Sequence, residues 1–257
     1  MLDLHNHMLP GLDDGPSSME ETLEMARLAY EDGVRTIVAT PHGRDVAEKS
    51  SLSAVRALVD QLKGELRTRS VPLKVLLGME NHLEMDTPEQ VERGLAIPIE
   101  GTHYILLELP FPSYPLYTEE VLFKLQIKGL HPIIVHPERN APIQENPQVL
   151  AGLVQKGALA QLTASSITGA FGRDTQRVSR ELLRRGLVHI IASDGHDARG
   201  NREPILSTGV AAAARVVGKE ASLRMVVDIP QAILQDVKLD PEELARASGK
   251  KRWPLRR

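Results

Sequence analysis

The chain has no cysteine, which excludes a disulfide framework, a thiolate zinc site and any hydrolase that works through a cysteine nucleophile. Phosphate chemistry in such a chain must run on metal. It also lacks any apolar run approaching about 18 residues, so neither a signal peptide nor a membrane span is visible, and the cytoplasm is the expected location. A strong charge of either sign is missing too: 31 Lys and Arg stand against 34 Asp and Glu, a formal net charge of -3. That balance argues against broad electrostatic binding of nucleic acid and leaves only local clusters of cations to hold an anionic substrate. No linker or shift of composition marks a second domain. With 257 residues and 42% hydrophobic content, the chain can bury roughly 70–75% of its unfolded surface as one domain over 1–257. The basic tail at 249–257, ending KKRWPLRR, reads as a solvated segment that need not be ordered.

What is present is an alternation of strand and helix patterns. After a first strand and the Gly/Asp-rich turn LPGLDDG, Ser17 or Ser18 can cap a helix to about Asp32, with Glu20 and Glu21 in its favourable first turn. Further strands are expected at Thr36–Thr40, Leu73–Leu77, Tyr104–Glu108, Pro132–His136, Ala158–Thr163 and Val188–Ala192. Helices fall between them at Ser51–Arg69, Thr118–Lys128, Pro147–Lys156 and Asp174–Arg185, and another runs from Leu206 to Val217. Alternation of this kind implies an α/β fold with a parallel sheet and right-handed crossovers. Seven strands suggest a closed barrel one unit short of eight, with an open doubly wound sheet as the other arrangement.

Six segments run into an apolar strand and stop on metal-capable side chains. These are His5 and His7 in LDLHNH, His42 in TIVATPH, Glu80 in VLLGME, Glu108 in YILLELP, His136 in PIIVHPER, and Asp194 with His196 in VHIIASDGH. Histidine and carboxylate at one end of successive parallel strands is how a barrel builds a site. Because side chains alternate faces with a period of two, His5 and His7 project together, as do Asp194 and His196. One buried histidine is usually a hydrogen-bonded core residue, so the weight lies in the recurrence, which points to a polynuclear metal centre. His82, His103, His131 and His189 read as non-ligands, the first at the rim and the others at strand starts. Ser165 and Ser166 have no histidine beside them in sequence and read as loop hydrogen-bonding residues.

The motifs DLHNHMLPGLDDG, ATPH, GME, LLELP, VHPERN and IASDGHD, in that order, resemble the polymerase and histidinol phosphatase (PHP) superfamily. The likeness is nearest to its CpsB/CapC branch of bacterial protein-tyrosine phosphatases and covers roughly Met1 to Pro204. It implies a distorted (β/α)7 TIM-like barrel, three divalent metal ions of manganese, iron or zinc type, manganese foremost, and hydrolysis of phosphate esters without a covalent enzyme intermediate. By position, one metal would take His5, His7, Glu80 and Asp194, a second would share Glu80 and add Glu108 and His136, and a third would use Asp14, His42 and His196. Asp14 rests largely on the resemblance, and Asp13 reads as the turn residue. Arg139 offers a planar fork for phosphate oxygens, and the resemblance makes Arg202 a second clamp, with Arg199 its local competitor.

The expected chemistry is in-line attack on phosphorus by hydroxide from a water bridging two metals, with Arg139 and Arg202 holding phosphoryl oxygens. His42 is a candidate donor to poor leaving groups. The Pro-rich stretch Leu109 to Tyr117 would form the rim, where Phe111, Tyr114 and Tyr117 can stack on a phenyl ring. The implied substrate is a phosphotyrosine protein, a tyrosine kinase that regulates capsule or exopolysaccharide synthesis. The alternatives are a small-molecule phosphatase acting on histidinol phosphate or a nucleotide, and a catalytically silent scaffold stabilised by metal. The MEETLEMAR helix is a candidate surface for homo-oligomers.

Overall fold

A computed structural model describes residues 1–247; the basic tail at 249–257 lies outside the described residues. Eight short strands are present among them: β1 (Leu2–Asn6), β2 (Thr36–Ala39), β3 (Lys74–Leu77), β4 (Glu80–His82), β5 (Tyr104–Glu108), β6 (His131–Val135), β7 (Leu159–Thr163) and β8 (Ile190–Ala192). Every neighbouring pair is parallel, in one sheet of order β1-β2-β3 and another of order β4-β5-β6-β7-β8. The two are tied on both sides. His42 bridges to Glu80 and Asn6 to Gly195, while Asp194 N donates to His5 O at 2.9 Å and His7 N to Gly195 O at 2.8 Å.

The sequence reading of seven strands is therefore corrected to eight among the described residues. β4 escapes a pattern search because it is three residues long, too short to alternate, and reads Glu-Asn-His, a polar run buried only because the site lies there. It follows β3 after Gly78 and Met79, at a corner where a Cβ on Gly78 would meet Val38 Cγ1 at 2.9 Å. The helix Gly43–Lys49 was also unexpected; Val46 is its one buried residue, so it carries no apolar stripe.

The expected helices form close to their predicted positions. Ser18 caps Met19–Glu31 and Ser51 caps Leu52–Thr68, each cap stabilising by about 1 kcal/mol. The second helix buries Val55, Val59, Leu62 and Leu66, one stripe at helical spacing. Strand residues divide by period two. Ile105, Leu107, Ile134, Ala160, Leu162 and Ile191 pack outward under the helices, whereas Leu4, Val38, Leu106, Ile133, Val135, Leu159 and Ile190 form a separate inner cluster. That inner plug supports the site from below. At its far end His103 pairs with Asp236 at 2.6 Å, and buried His189 accepts Ala160 N at 3.1 Å, so the strand-start histidines do lie away from the strand exits. No helix among the described residues is long and apolar enough to cross a membrane.

Candidate metal centre

β4, β5 and the exits of β1, β2, β6 and β8 deliver polar side chains to a single cleft. Two of the exits use backbone that L-residues avoid: His136 has φ 32° and Asp194 φ 52°. Such conformations cost about 1–3 kcal/mol each and persist where the surroundings over-determine them. Here they turn the residue just beyond β6 and the second residue beyond β8 back over the sheet end. Gly195 then passes so close to β1 that a Cβ would meet Asn6 Nδ2 at 2.9 Å and Pro204 Cα at 3.0 Å.

The histidines are oriented from behind. His5 Nδ1 faces Gln161 Oε1 at 2.8 Å, His7 Nδ1 faces Asp13 Oδ2 at 2.8 Å, and His196 Nδ1 faces the Asp194 carbonyl at 2.9 Å. Each partner is an acceptor, so each Nδ1 carries a proton and, in the neutral ring, each Nε2 turns a lone pair into the cleft. His5 Nε2 and His7 Nε2 lie 3.0 Å apart. Glu80 Oε2 sits 3.5 and 3.3 Å from these nitrogens and 2.8 Å from His42 Nδ1. Its other oxygen is 2.6 Å from His136 Nε2. Glu80 Oε2, Glu108 Oε2, Asp194 Oδ1 and His42 Nδ1 are buried yet satisfied by no hydrogen bond. Converging imidazole nitrogens and carboxylate oxygens, several without a hydrogen-bond partner, fit divalent cations that displace the ring protons, and the mix of imidazole and carboxylate suits borderline metals better than magnesium.

Four sets of side chains have donor atoms mutually within 4.8 Å: His5, His7 and Glu80; Glu80, Glu108 and His136; His7, Asp14, His42 and His196; and His42, His82 and Glu108. The first three overlap the groupings expected from sequence. Asp194 stands farther back, its Oδ1 at 3.7 and 3.6 Å from the Nε2 atoms of His5 and His7 while Oδ2 receives Arg139 Nη2 at 2.6 Å. His82 is partly exposed and lines the cavity, as a rim residue does, but β4 also brings its Nε2 within 2.8 Å of Glu108. Asp13 does more than shape a turn. It accepts from Gly15 N, but also from His7 and from His42 N.

The field of the cleft is negative. Burial alone would lower His5, yet Glu80 and Asp194 outweigh it and push its pKa up to about 9. His42 is likewise carried to about 11, burial being outweighed by Asp14 and Glu80. In turn, His196 and His42 hold Asp14 far below the usual carboxylate range. For Glu80, burial is overcome by His5 and His136, and its carboxyl is also depressed. Side chains that draw protons this strongly also compete for cations.

A cavity of about 790 Å³ opens over these groups, lined among others by Asp14, His42, Glu80, Glu108, His136, Arg139, Asp194 and Arg202. Arg139 bonds Asp194 and lies 4.4 Å above the Phe171 ring, with its buried Nε satisfied by no hydrogen bond. Arg202 bonds Asp14 Oδ2 at 2.6 Å and approaches His196. Arg199 points away to Glu24 and is largely exposed. Of the rim aromatics expected from sequence, Phe111 lines the cavity. Tyr114 and Tyr117 pack instead against the core, being drawn under the rim by their apolar rings. Ser165 and Ser166 fall in the short helix Ala164–Thr168 and do not line the cavity. Phe171 and the charged helix residues Arg44, Asp45, Glu48 and Lys49 also line it, and no spacing in the sequence signalled them.

The family model for capsular polysaccharide synthesis, CpsB/CapC, matches residues 1–235. The tyrosine-protein phosphatase YwqE of Bacillus subtilis is 41% identical over 199 residues, 77% of this chain and 78% of the relative. CpsB of Streptococcus pneumoniae, also named a tyrosine-protein phosphatase, is 26% identical over 241 residues, 92% of this chain and 99% of that one. A crystal structure from work on YwqE and CpsB, described there as unique metal-dependent tyrosine phosphatases, aligns with a TM-score of 0.85 and 35% identity, covering 92% of this chain and 95% of the other. By match to the family model and by kinship to YwqE, this chain belongs to the CpsB/CapC family.

Proposed function

We propose that this protein is a metal-dependent protein-tyrosine phosphatase of the PHP superfamily, its two parallel sheets forming a distorted barrel whose strand exits hold three divalent ions, manganese foremost. The observation that carries this reading is the set of inward Nε2 atoms and orphaned carboxylate oxygens around Glu80. In it, His5, His7, Glu80 and Asp194 would hold one ion, Glu80, Glu108 and His136 a second, and Asp14, His42 and His196 a third, Glu80 having two carboxylate oxygens to share between sites. The kinship with named tyrosine-protein phosphatases supports a phosphotyrosine protein as substrate. The capsule-synthesis family supports a kinase of that system, met in the cytoplasm, as the partner.

When bound, the ions supply hydroxide at neutral pH and positive charge against the phosphoryl oxygens. The protein's own side chains do the rest. Asp13, Gln161 and the Asp194 carbonyl hold His7, His5 and His196 in the tautomer that leaves Nε2 free. Arg139, fixed between Asp194 and Phe171, presents its guanidinium to the phosphoryl group, and Arg202, fixed by Asp14 and 4.0 Å from the other Asp194 oxygen, adds a second. Both ring nitrogens of His42 face carboxylates, Glu80 at 2.8 Å and Asp14 at 3.5 Å, so His42 is assigned to holding cations. A phenol needs little proton assistance to leave, since its pKa is about 10.

The test compares a phosphotyrosine peptide with histidinol phosphate and a nucleoside monophosphate on manganese-loaded protein. Preference for the peptide is expected. Preference for either small ester would move the protein to a small-molecule phosphatase.

A further inference from the structure

Only three phenylalanines occur in the chain, and two of them, Phe111 and Phe171, line the cavity over the cluster. Phe111 is 46% exposed and Phe171 is half-buried, an unusual placement for apolar rings with a core available. Yet both are held firmly. Phe111 O accepts Ala141 N at 2.7 Å, and Asn140 Nδ2 donates to Pro110 O and Ser113 O at 2.7 and 2.8 Å, which pins the loop on both sides of the ring. Phe171 rides on a turn between Gly169 and Gly172, with φ of 99° and 96°. Gln176 clasps that turn by donating to Ile167 O and Thr168 O. Exposed aromatics on braced loops are preorganised contact surfaces.

Their position relative to the phosphoryl-binding groups gives the pair a direction. Phe111 meets His136 edge-on, ring centroids 5.6 Å apart, and Phe171 lies under the Arg139 guanidinium. His136 and Arg139 are three residues apart on the exit of β6, so one ring stands beside each. We infer that Phe111 and Phe171 form a slot for the aryl group of the substrate and set the preference for aryl over alkyl phosphate esters; this rests on the phosphatase reading above. In an aryl phosphate one oxygen separates phosphorus from the ring, so a phosphoryl group on Arg139 would keep that ring close to phenyl groups that stand 4.4 Å from the Arg139 guanidinium carbon and 5.6 Å from the His136 ring centre. An alkyl ester such as phosphoserine offers only a methylene there. Aromatic pairs are worth about 0.5–1.5 kcal/mol beyond area burial, or about 2- to 10-fold each.

The test measures kcat/KM of manganese-loaded wild type, Phe111→Ala, Phe171→Ala and the double variant on phenyl phosphate and on a phosphoserine peptide, with Phe171→Tyr as the conservative replacement. A second readout is the ratio of dissociation constants for phenylphosphonate and methylphosphonate by calorimetry. The slot predicts loss of about 2- to 10-fold on the aryl ester for each alanine variant, an aryl-to-alkyl binding ratio that collapses in the double variant, unchanged alkyl turnover in Phe111→Ala, a smaller loss on the alkyl than on the aryl ester in Phe171→Ala, whose ring also backs Arg139, and recovery in Phe171→Tyr. Equal losses on both esters would mean that Phe171 merely supports Arg139, and would overturn the slot while leaving the phosphatase reading standing. Absence of turnover of any phosphoester by wild type would overturn the phosphatase reading, and the slot with it.

Discussion

Asp13→Asn tests how the histidines are aimed, and its effect follows from counting protons. In the native site Asp13 Oδ2 accepts from His7 Nδ1 at 2.8 Å and from His42 N at 3.1 Å, while Oδ1 accepts from Gly15 N at 3.0 Å. An asparagine can satisfy only one side. If its amide nitrogen faces His7, that ring must shift its proton to Nε2, where it points into the cleft and removes a metal-binding lone pair. If its oxygen faces His7, the amide nitrogen meets Gly15 N–H, donor against donor, and the turn carrying Asp14 is left with an unsatisfied group costing about 1–3 kcal/mol. Loss of such a supporting partner typically weakens metal affinity by about 10- to 100-fold. Calorimetric titration of chelated protein with manganese should show that loss for one class of site, with activity recovering partly at high manganese. Unchanged affinity in Asp13→Asn would refute the claim that Asp13 fixes the tautomer of His7.

Two further outcomes are expected. Arg139→Lys keeps the charge but loses the fork that serves Asp194 and the phosphoryl group together, and kcat should fall about 100-fold with metal content, read by elemental analysis, unchanged. His189, buried and accepting Ala160 N, has its pKa pushed down to about 4 by burial. The unfolded chain therefore binds more protons between about pH 6.5 and 4, so His189 contributes stability that is present above pH 6.5 and is lost as pH falls toward 4, about 3 kcal/mol in all. Thermal melts across that range should show the decline, and His189→Asn, which keeps an acceptor for Ala160 N, should flatten it.

What the sequence could show follows from what each residue's neighbours in the chain encode. A run such as YILLE or HIIA is buried on both faces and reads as a strand whatever surrounds it, so Glu108 and Asp194 are placed by their own segments. β4 has no such run, so the sequence leaves His82 at the rim and does not show that it meets Glu108 across the β4–β5 pairing. Asp13 and Asp14 are adjacent in a turn where aspartate caps backbone as a matter of course. The resemblance alone put Asp14 with His196, and the fold shows Asp13 reaching His7 and Asp14 reaching His196 and Arg202. Phe171 carries no periodic signal at all, because its place depends on two left-handed glycines and a glutamine clasp. The aromatic run at 109–117 was visible, but which ring faces the cleft depends on Asn140 pinning the loop.

The most direct measurement follows phosphatase activity on a phosphotyrosine peptide as chelated protein is reloaded with manganese, alongside His136→Ala. Activity that vanishes on chelation, returns in step with bound metal and stays absent in His136→Ala is the expected result. Full turnover by the chelated protein, or by His136→Ala, would contradict a metal centre built on Glu80 and its histidines.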